Sequence, residues 1–210
     1  MSTTTDDTAL IDDAGELRAH IGPVNPLAER KVLARLDRFC RDFIALSPFL
    51  VVASGDGKGG ADASPRGDAP GFVRVLDETT LLIPDRRGNN RVDTFGNILA
   101  APGIGLVFMV PGINETLRVN GQASVTRDPA LLAPSTVQER PPLTGLLVAV
   151  DEVFFHCGKA LIRSKLWDPA TQVERSSFPT LGRIVAEQTK AIEVAEAEAN
   201  LEEAYRSRLY

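Results

Sequence analysis

Histidine and cysteine are scarce in this sequence. Two of each in 210 residues cannot build a zinc framework of repeated Cys pairs, and they do not make a disulfide scaffold. Cys40 and Cys157 are therefore expected to be reduced and buried, in a chain that stays in the cytoplasm. Long apolar runs are missing too: no stretch approaches the 18 or so residues that a membrane-spanning helix needs. The opening MSTTTDDTALIDDAGELRAH has neither the basic start nor the apolar middle of a secretory signal. An excess of positive charge is also absent. Lys and Arg number 23 against 28 Asp and Glu, a net −5, so the chain as a whole carries no footprint for nucleic acid. No Gly-x-Ser-x-Gly elbow occurs for a serine hydrolase, and no isolated carboxylate pair stands in an apolar setting for glycosidase work. What is present is an ordinary globular balance, 43% hydrophobic and 24% charged, enough to bury a core without staples.

The period of the apolar residues changes along the chain. Asn25-Pro26 reads as a helix start, and Leu33, Leu36, Cys40 and Phe43 continue it as one amphipathic helix of about 20 residues, closed by Ser47-Pro48. From residue 48 the pattern is short strands and tight turns: strands at 48–54 and 61–68 around the turn GDGKGG, a hairpin at 72–76 and 79–84, and further strands at 104–110, 115–126 and 146–157. A break is expected near Asp151. One helix is inserted after RRGNN, with Val92, Phe95, Ile98 and Leu99 on one face and Pro102-Gly103 as its stop. Residues 128–144 carry four prolines and read as a partly helical connection. Six or seven strands at this spacing indicate a small barrel or sandwich. The tail differs: residues 181–206 are rich in Ala and Glu and show the stripe of one long helix, which needs something to pack on, such as a second subunit.

Several motifs compete with plainer readings. GDGKGG at 55–60 fits Gly-x-Gly-x-x-Gly, but no helical period follows it, so it reads as a hairpin turn rather than a dinucleotide loop. His156 and Cys157 are neighbours on a strand and point to opposite faces, which suits buried strand residues and not a catalytic pair. The stronger constellation is Arg86-Arg87-Gly88-Asn89-Asn90-Arg91-Val92-Asp93-Thr94, between a strand and a helix. Asn89 or Asn90 is placed to cap the helix. Arg91 at that end opposes the helix dipole unless an anion sits there. The competing reading is a solvated basic loop. Ser64-Pro65-Arg66-Gly67 supplies a second basic point, Glu115 and Arg118 flank a later strand, and Lys159, Arg163, Lys165 and Trp167 cluster after the last one.

Taken in order, SPRGD, LLIPDRRGNNRVDT, GIGLVFMVPG, ETLRVNG and FFHCGKALIRSKLWDP resemble the pyridoxamine 5′-phosphate oxidase-like flavoproteins over roughly residues 30–170. The resemblance implies a mainly β fold with flanking α-helices: a six-stranded antiparallel split β-barrel (an FMN-binding split barrel) with an N-terminal helix and a long C-terminal helix. On that reading residues 1–25 are an arm, 26–170 the FMN-binding split-barrel domain and 171–210 a helical extension. It also implies a homodimer with FMN in clefts at the interface. Arg66, Asn89, Asn90, Arg91 and Thr94 would hold the FMN phosphate. Ser64, Pro65, Gly67, Ile83 and Pro84 would line the ring and ribityl chain. Glu115, Arg118, Lys159 and Trp167 would come from the other subunit. The chemistry would be that of an FMN-dependent oxidoreductase acting on a small molecule, with a nicotinamide nucleotide as a candidate donor; the alternative is a non-catalytic flavin- or haem-binding dimer. The acidic tail EVAEAEANLEEAYRSRLY departs from the basic, histidine-containing tail of true pyridoxamine phosphate oxidases and argues against a phosphorylated vitamer as substrate.

Overall fold

The computed structural model describes residues 10–210; the acidic start of the chain, residues 1–9, lies outside the described residues. Contacts divide the chain into two units, Met1–Leu33 and Ala34–Tyr210. The first holds α1 (Ala14–Ile21), opened by the Asp13 carboxylate accepting from the Gly15 and Glu16 amides, and α2 (Pro26–Arg30). Asn25 caps α2 with Pro26 at its first position, as the sequence indicates.

The single helix expected from Pro26 to Phe43 does not form. Helix α2 stops at Arg30 and a new helix, α3 (Arg38–Leu46), begins at Asp37, whose carboxylate accepts from the Cys40 amide at 2.9 Å. Leu36 belongs to neither, because its amide donates to the Glu78 carbonyl. The apolar spacing was genuine, but an N-cap inside it divides the run. Cys40, Phe43 and Ile44 are the buried face of α3.

The second unit is built on one antiparallel sheet. Its strands are β1 (Phe49–Gly55), β2 (Ala61–Gly67), β3 (Arg74–Val75), β4 (Thr80–Pro84), β5 (Gly103–Met109), β6 (Thr116–Thr126) and β7 (Gly145–His156). They lie in the order β2-β1-β5-β6-β7-β4-β3. All seven strands read from the sequence are present, the one expected at 72–76 being only the two residues of β3, which pair with β4. Side chains alternate along β1 and β5, which puts Leu50, Val52, Leu106 and Phe108 into the core with Leu117, Val119, Val148 and Val153. Truncating one of these to Ala costs about 2–5 kcal/mol.

The break expected near Asp151 is a bulge inside a continuous strand. Asn120 faces Glu152 while Gly121 faces Val150, so Asp151 is the extra residue. Gly121 is required there, since a β-carbon would collide with the Ala149 carbonyl. The GDGKGG segment is the β1–β2 turn, with the Asp56 carboxylate accepting from the Lys58 and Gly60 amides. The 128–144 connection contains one helical turn, α5 (Pro129–Leu132), as expected.

The C-terminal helix is two helices, not one. Helix α7 (Leu181–Thr189) ends on Lys190 in the left-handed region, and α8 (Val194–Ser207) folds back on it. The stripe that seemed to call for a second subunit is met partly within the chain. Ala186 and Ala197 are buried, Gly182 lies against Glu198, and the Thr180 hydroxyl donates to Glu198. Among the described residues no helix is long and apolar enough to cross a membrane.

Candidate functional site

Strand β2 is small and polar, and its alternation explains why. Asp62, Ser64 and Arg66 are half-buried on one face while Ala61, Ala63, Pro65 and Gly67 are exposed. That face looks into a cavity of about 360 Å³, within the range of small-molecule sites. Its other walls are the end of β4 at Pro84, the segment 85–92 and the first turn of helix α4 (Asp93–Ala100).

The Arg66 guanidinium is the centre of the cavity's hydrogen bonding. It donates to the Ser64 hydroxyl at 2.5 Å, to the Pro65 carbonyl at 2.9 Å and to the Thr94 hydroxyl at 3.2 Å. Thr94 is buried and its hydroxyl in turn lies 3.4 Å from the Asp62 carboxylate. Among the described residues Arg66 forms no ion pair, so its charge is held in place by neutral partners and stays available to an anion.

The first turn of α4 points at the same space. The residue before it, Val92, has left-handed backbone angles (φ 55, ψ 26) and supplies no capping side chain. A β-branched residue there costs about 1–3 kcal/mol, a strain that concentrates at binding sites. The expected cap by Asn89 or Asn90 does not occur: Asn89 accepts from the Arg91 amide instead, one turn too early, and Asn90 is itself left-handed. The first-turn amides are thus left without a side-chain acceptor. The α4 face differs too. Thr94 and Ile98 are buried, whereas Val92 and Leu99 are exposed.

Of the predicted positions, Ser64, Pro65, Arg66, Gly67, Pro84, Asn89, Asn90, Arg91 and Thr94 line this cavity together. Ile83, expected there through its backbone, is not among the lining residues; its side chain is buried in the core. Arg91 is at the rim, largely exposed, with its guanidinium 2.8 Å from the Asp93 carboxylate, which raises its pKa. Glu115, Arg118, Lys159 and Trp167 lie off the cavity. Arg118 sits over the Phe154 ring, Lys159 opens helix α6 (Lys159–Ser164), and the Trp167 indole donates to the Ile113 carbonyl at 2.9 Å.

Sequence reasoning missed an acidic component. Asp62, Asp85 and Asp93 line the cavity beside four arginines, 66, 86, 87 and 91. Burial pushes the Asp85 carboxyl above its ordinary pKa, against the opposing charges of Arg66 and Arg86. It also missed the pair behind the loop. The Arg86 guanidinium lies 2.6 Å from the Asp68 carboxylate and donates to the Ser135 carbonyl at 2.8 Å, while the Tyr210 hydroxyl donates to Asp68 at 2.8 Å. Burial works to raise the Asp68 pKa, but the Ala69 amide, the Tyr210 hydroxyl and Arg86 together hold it below the usual value.

Two further expectations need correction. His156 and Cys157 are both exposed, because they lie at the end of β7 past the core; Cys40 is the buried thiol, its pKa pushed up to about 12, first by burial. No acidic side chain of α8 lines this cavity. Tyr210 lines a smaller neighbouring cavity with Asp85, Arg86, Arg87 and Asn90.

Residues 36–157, more than half the chain, match the family model for pyridoxamine 5′-phosphate oxidase. The chain belongs to that family. Its sheet and flanking helices are those of the family's split barrel, which confirms the fold expected from the motifs. Solved structures with a similar fold include HupZ from Group A Streptococcus, 19% identical, covering 57% of this chain and 92% of that one at a TM-score of 0.48. A candidate pyridoxamine 5′-phosphate oxidase from Lactobacillus delbrueckii is 21% identical over 58% and 95%, TM-score 0.46. An FMN-binding protein from Syntrophomonas wolfei is 10% identical over 56% and 83%, TM-score 0.44. No match was found among curated protein sequences.

Proposed function

We propose that this family member is a flavoprotein that binds FMN with its phosphate at Arg66, Thr94 and the first turn of α4. One observation carries the reading. A guanidinium with no carboxylate partner, a buried hydroxyl and uncapped helix amides converge on one cavity. The donor set fits a phosphate monoester. This wall brings no His, Cys, Met or Tyr, the usual axial ligands of haem.

Bound flavin supplies hydride and electron transfer; the protein's part is to bind and orient it. Arg66 fixes the phosphate end, and Pro84, Pro65 and Phe72 give apolar wall for the rest. The reaction class is an oxidoreductase acting on a small molecule. Glu115, Arg118, Lys159 and Trp167 serve this reading only in a homodimer, where they complete the site of the opposite subunit. The visible spectrum of freshly purified protein tests the cofactor. An oxidised-flavin spectrum, with FMN released on denaturation, is expected. A colourless protein whose fluorescence titration with FMN shows no saturation would overturn it. Sedimentation of the loaded protein tests the dimer, and turnover of NADH or NADPH with an electron acceptor tests the activity.

A further inference from the structure

The segment between β4 and α4 forms a wall of the main cavity with little backbone support of its own. Asp85 donates its amide to the Thr144 carbonyl. From Arg86 to Arg91, among the described residues, no main-chain group bonds to another main-chain group. A stretch of that kind keeps its place only through side-chain anchors, because each ordered residue costs conformational entropy. The anchor at its start is Arg86, which is tied both to Asp68 at the end of β2 and to the Ser135 carbonyl in the 128–144 connection. The Asp68–Arg86 pair therefore joins two walls of the cavity, β2 and the segment after β4.

Tyr210 completes this anchor from far along the chain. It lies three residues past the end of α8, in no helix or strand, and is held at three points. Its hydroxyl donates to Asp68 Oδ1 at 2.8 Å, its ring lies against the Arg86 guanidinium at 5.7 Å, and its main-chain oxygen accepts from Arg140 at 2.6 Å. The hydroxyl shares Oδ1 with the Ala69 amide and leaves Oδ2 to Arg86, which sets the plane of the carboxylate. Both members of the pair are thus in contact with one residue that does not itself line the main cavity.

We propose that Tyr210 is a positioning residue for the cofactor site: a strap that, through Asp68 and Arg86, keeps the 86–91 segment in place as the cavity wall beside the first turn of α4. The inference rests on the flavin reading of that cavity. Asn89, Asn90 and Arg91 ride on the segment, so releasing the strap removes their contribution at the phosphate end while β2 and the apolar wall stay where they are. Affinity then falls in proportion to the time the wall spends out of place.

The test compares wild type with a protein lacking Tyr210 and with Tyr210→Phe, which keeps the ring and the main-chain oxygen and loses the hydroxyl. FMN and riboflavin are titrated into each cofactor-free protein, with circular dichroism as the fold control. Removal of Tyr210 should weaken FMN about fivefold, as for a wall in place about a fifth of the time, and leave riboflavin within about twofold. Tyr210→Phe should fall between the two proteins, and it decides by the same criteria if the shortened protein does not fold. Amide exchange in the cofactor-free proteins gives a reading that needs no flavin. Without Tyr210 the Asp85 amide should exchange faster, while that of Val119, in the core, should not. Unchanged FMN affinity in the folded shortened protein, an equal loss for FMN and riboflavin, or unchanged Asp85 exchange would each overturn the strap. If wild type takes up neither flavin, the cofactor reading fails on its own, and the exchange measurement still decides whether Tyr210 holds the segment.

Discussion

Replacing Arg66 by Ala is the most direct test of the phosphate site. In the structure this side chain makes three hydrogen bonds, to Ser64, Pro65 and Thr94, and no ion pair among the described residues. The bond it would add to a phosphate is charge-assisted, worth about 1.5–3 kcal/mol. At 1.4 kcal/mol per decade that is about a 10- to 150-fold loss of FMN affinity. The fold should feel far less. The three partners are hydroxyls and a carbonyl at the cavity wall, where water replaces the guanidinium, so about 0.5–1.5 kcal/mol of stability is lost for the network. Arg66→Lys separates charge from shape. It keeps the cation but loses the fork that spans Ser64 and Thr94, and its affinity should fall between wild type and Ala. The assay is fluorescence quenching of FMN titrated into cofactor-free protein, with circular dichroism as the fold control and salt varied to expose the charge contribution. If Arg66→Ala folds and binds FMN as tightly as wild type, the phosphate lies elsewhere and the assignment of this cavity is wrong.

Other expectations follow from neighbouring residues. Arg91→Ala should cost less than Arg66→Ala, under about tenfold in FMN affinity, because Arg91 is exposed, salt-screened and already engaged with Asp93; the same titration checks it. Asp85 has a raised folded pKa, so its protonated form favours the native state and stability falls as pH rises through that pKa. Asp85→Asn should therefore raise the melting temperature at neutral pH, with the gain shrinking near the ordinary carboxylate range, as thermal melts across pH would show. Asp68 has the opposite sign. Its depressed pKa contributes stability above the unfolded-state value near 4, lost as pH falls through the folded value. Asp68→Asn leaves the half-buried Arg86 without its charge partner, costing about 1.5–3 kcal/mol in denaturant unfolding. Gly121→Ala should unfold the sheet locally or fail to express, since its β-carbon collides with the Ala149 carbonyl across the bulge; hydrogen exchange in β6 and β7 reports it.

The strands were legible because their physics is local. Alternation in β2, tight turns around Gly and Asp, and short apolar runs in β1 and β5 each follow from residues adjacent in the chain. The helices were less so. The apolar spacing from Leu33 to Phe43 is the same whether or not Asp37 starts a new helix inside it, and the decision belongs to the distant Glu78 carbonyl that takes the Leu36 amide. The tail stripe likewise fits one long helix or two short ones. Lys190 turning left-handed, with Glu198 brought against Gly182, selects two.

The site divides along the same line. Arg66, Asn90, Arg91 and Thr94 carry a sequence signal because a basic residue beside a helix start is a local anomaly that an anion resolves. Arg86 carried the same signal and does a different job. It looks like one more cation in RRGNNR, yet its charge is cancelled by Asp68, 18 positions away, and the pair is sealed by Tyr210, 142 positions from Asp68. No spacing in the sequence tells the cancelled arginine from the available one; only burial and the partner do. That difference decides what the loop recognises. With Arg86 paired to Asp68 and Arg91 to Asp93, the arginines of the cavity wall that form no ion pair among the described residues are Arg66 and Arg87, and they are the ones left to face an anion.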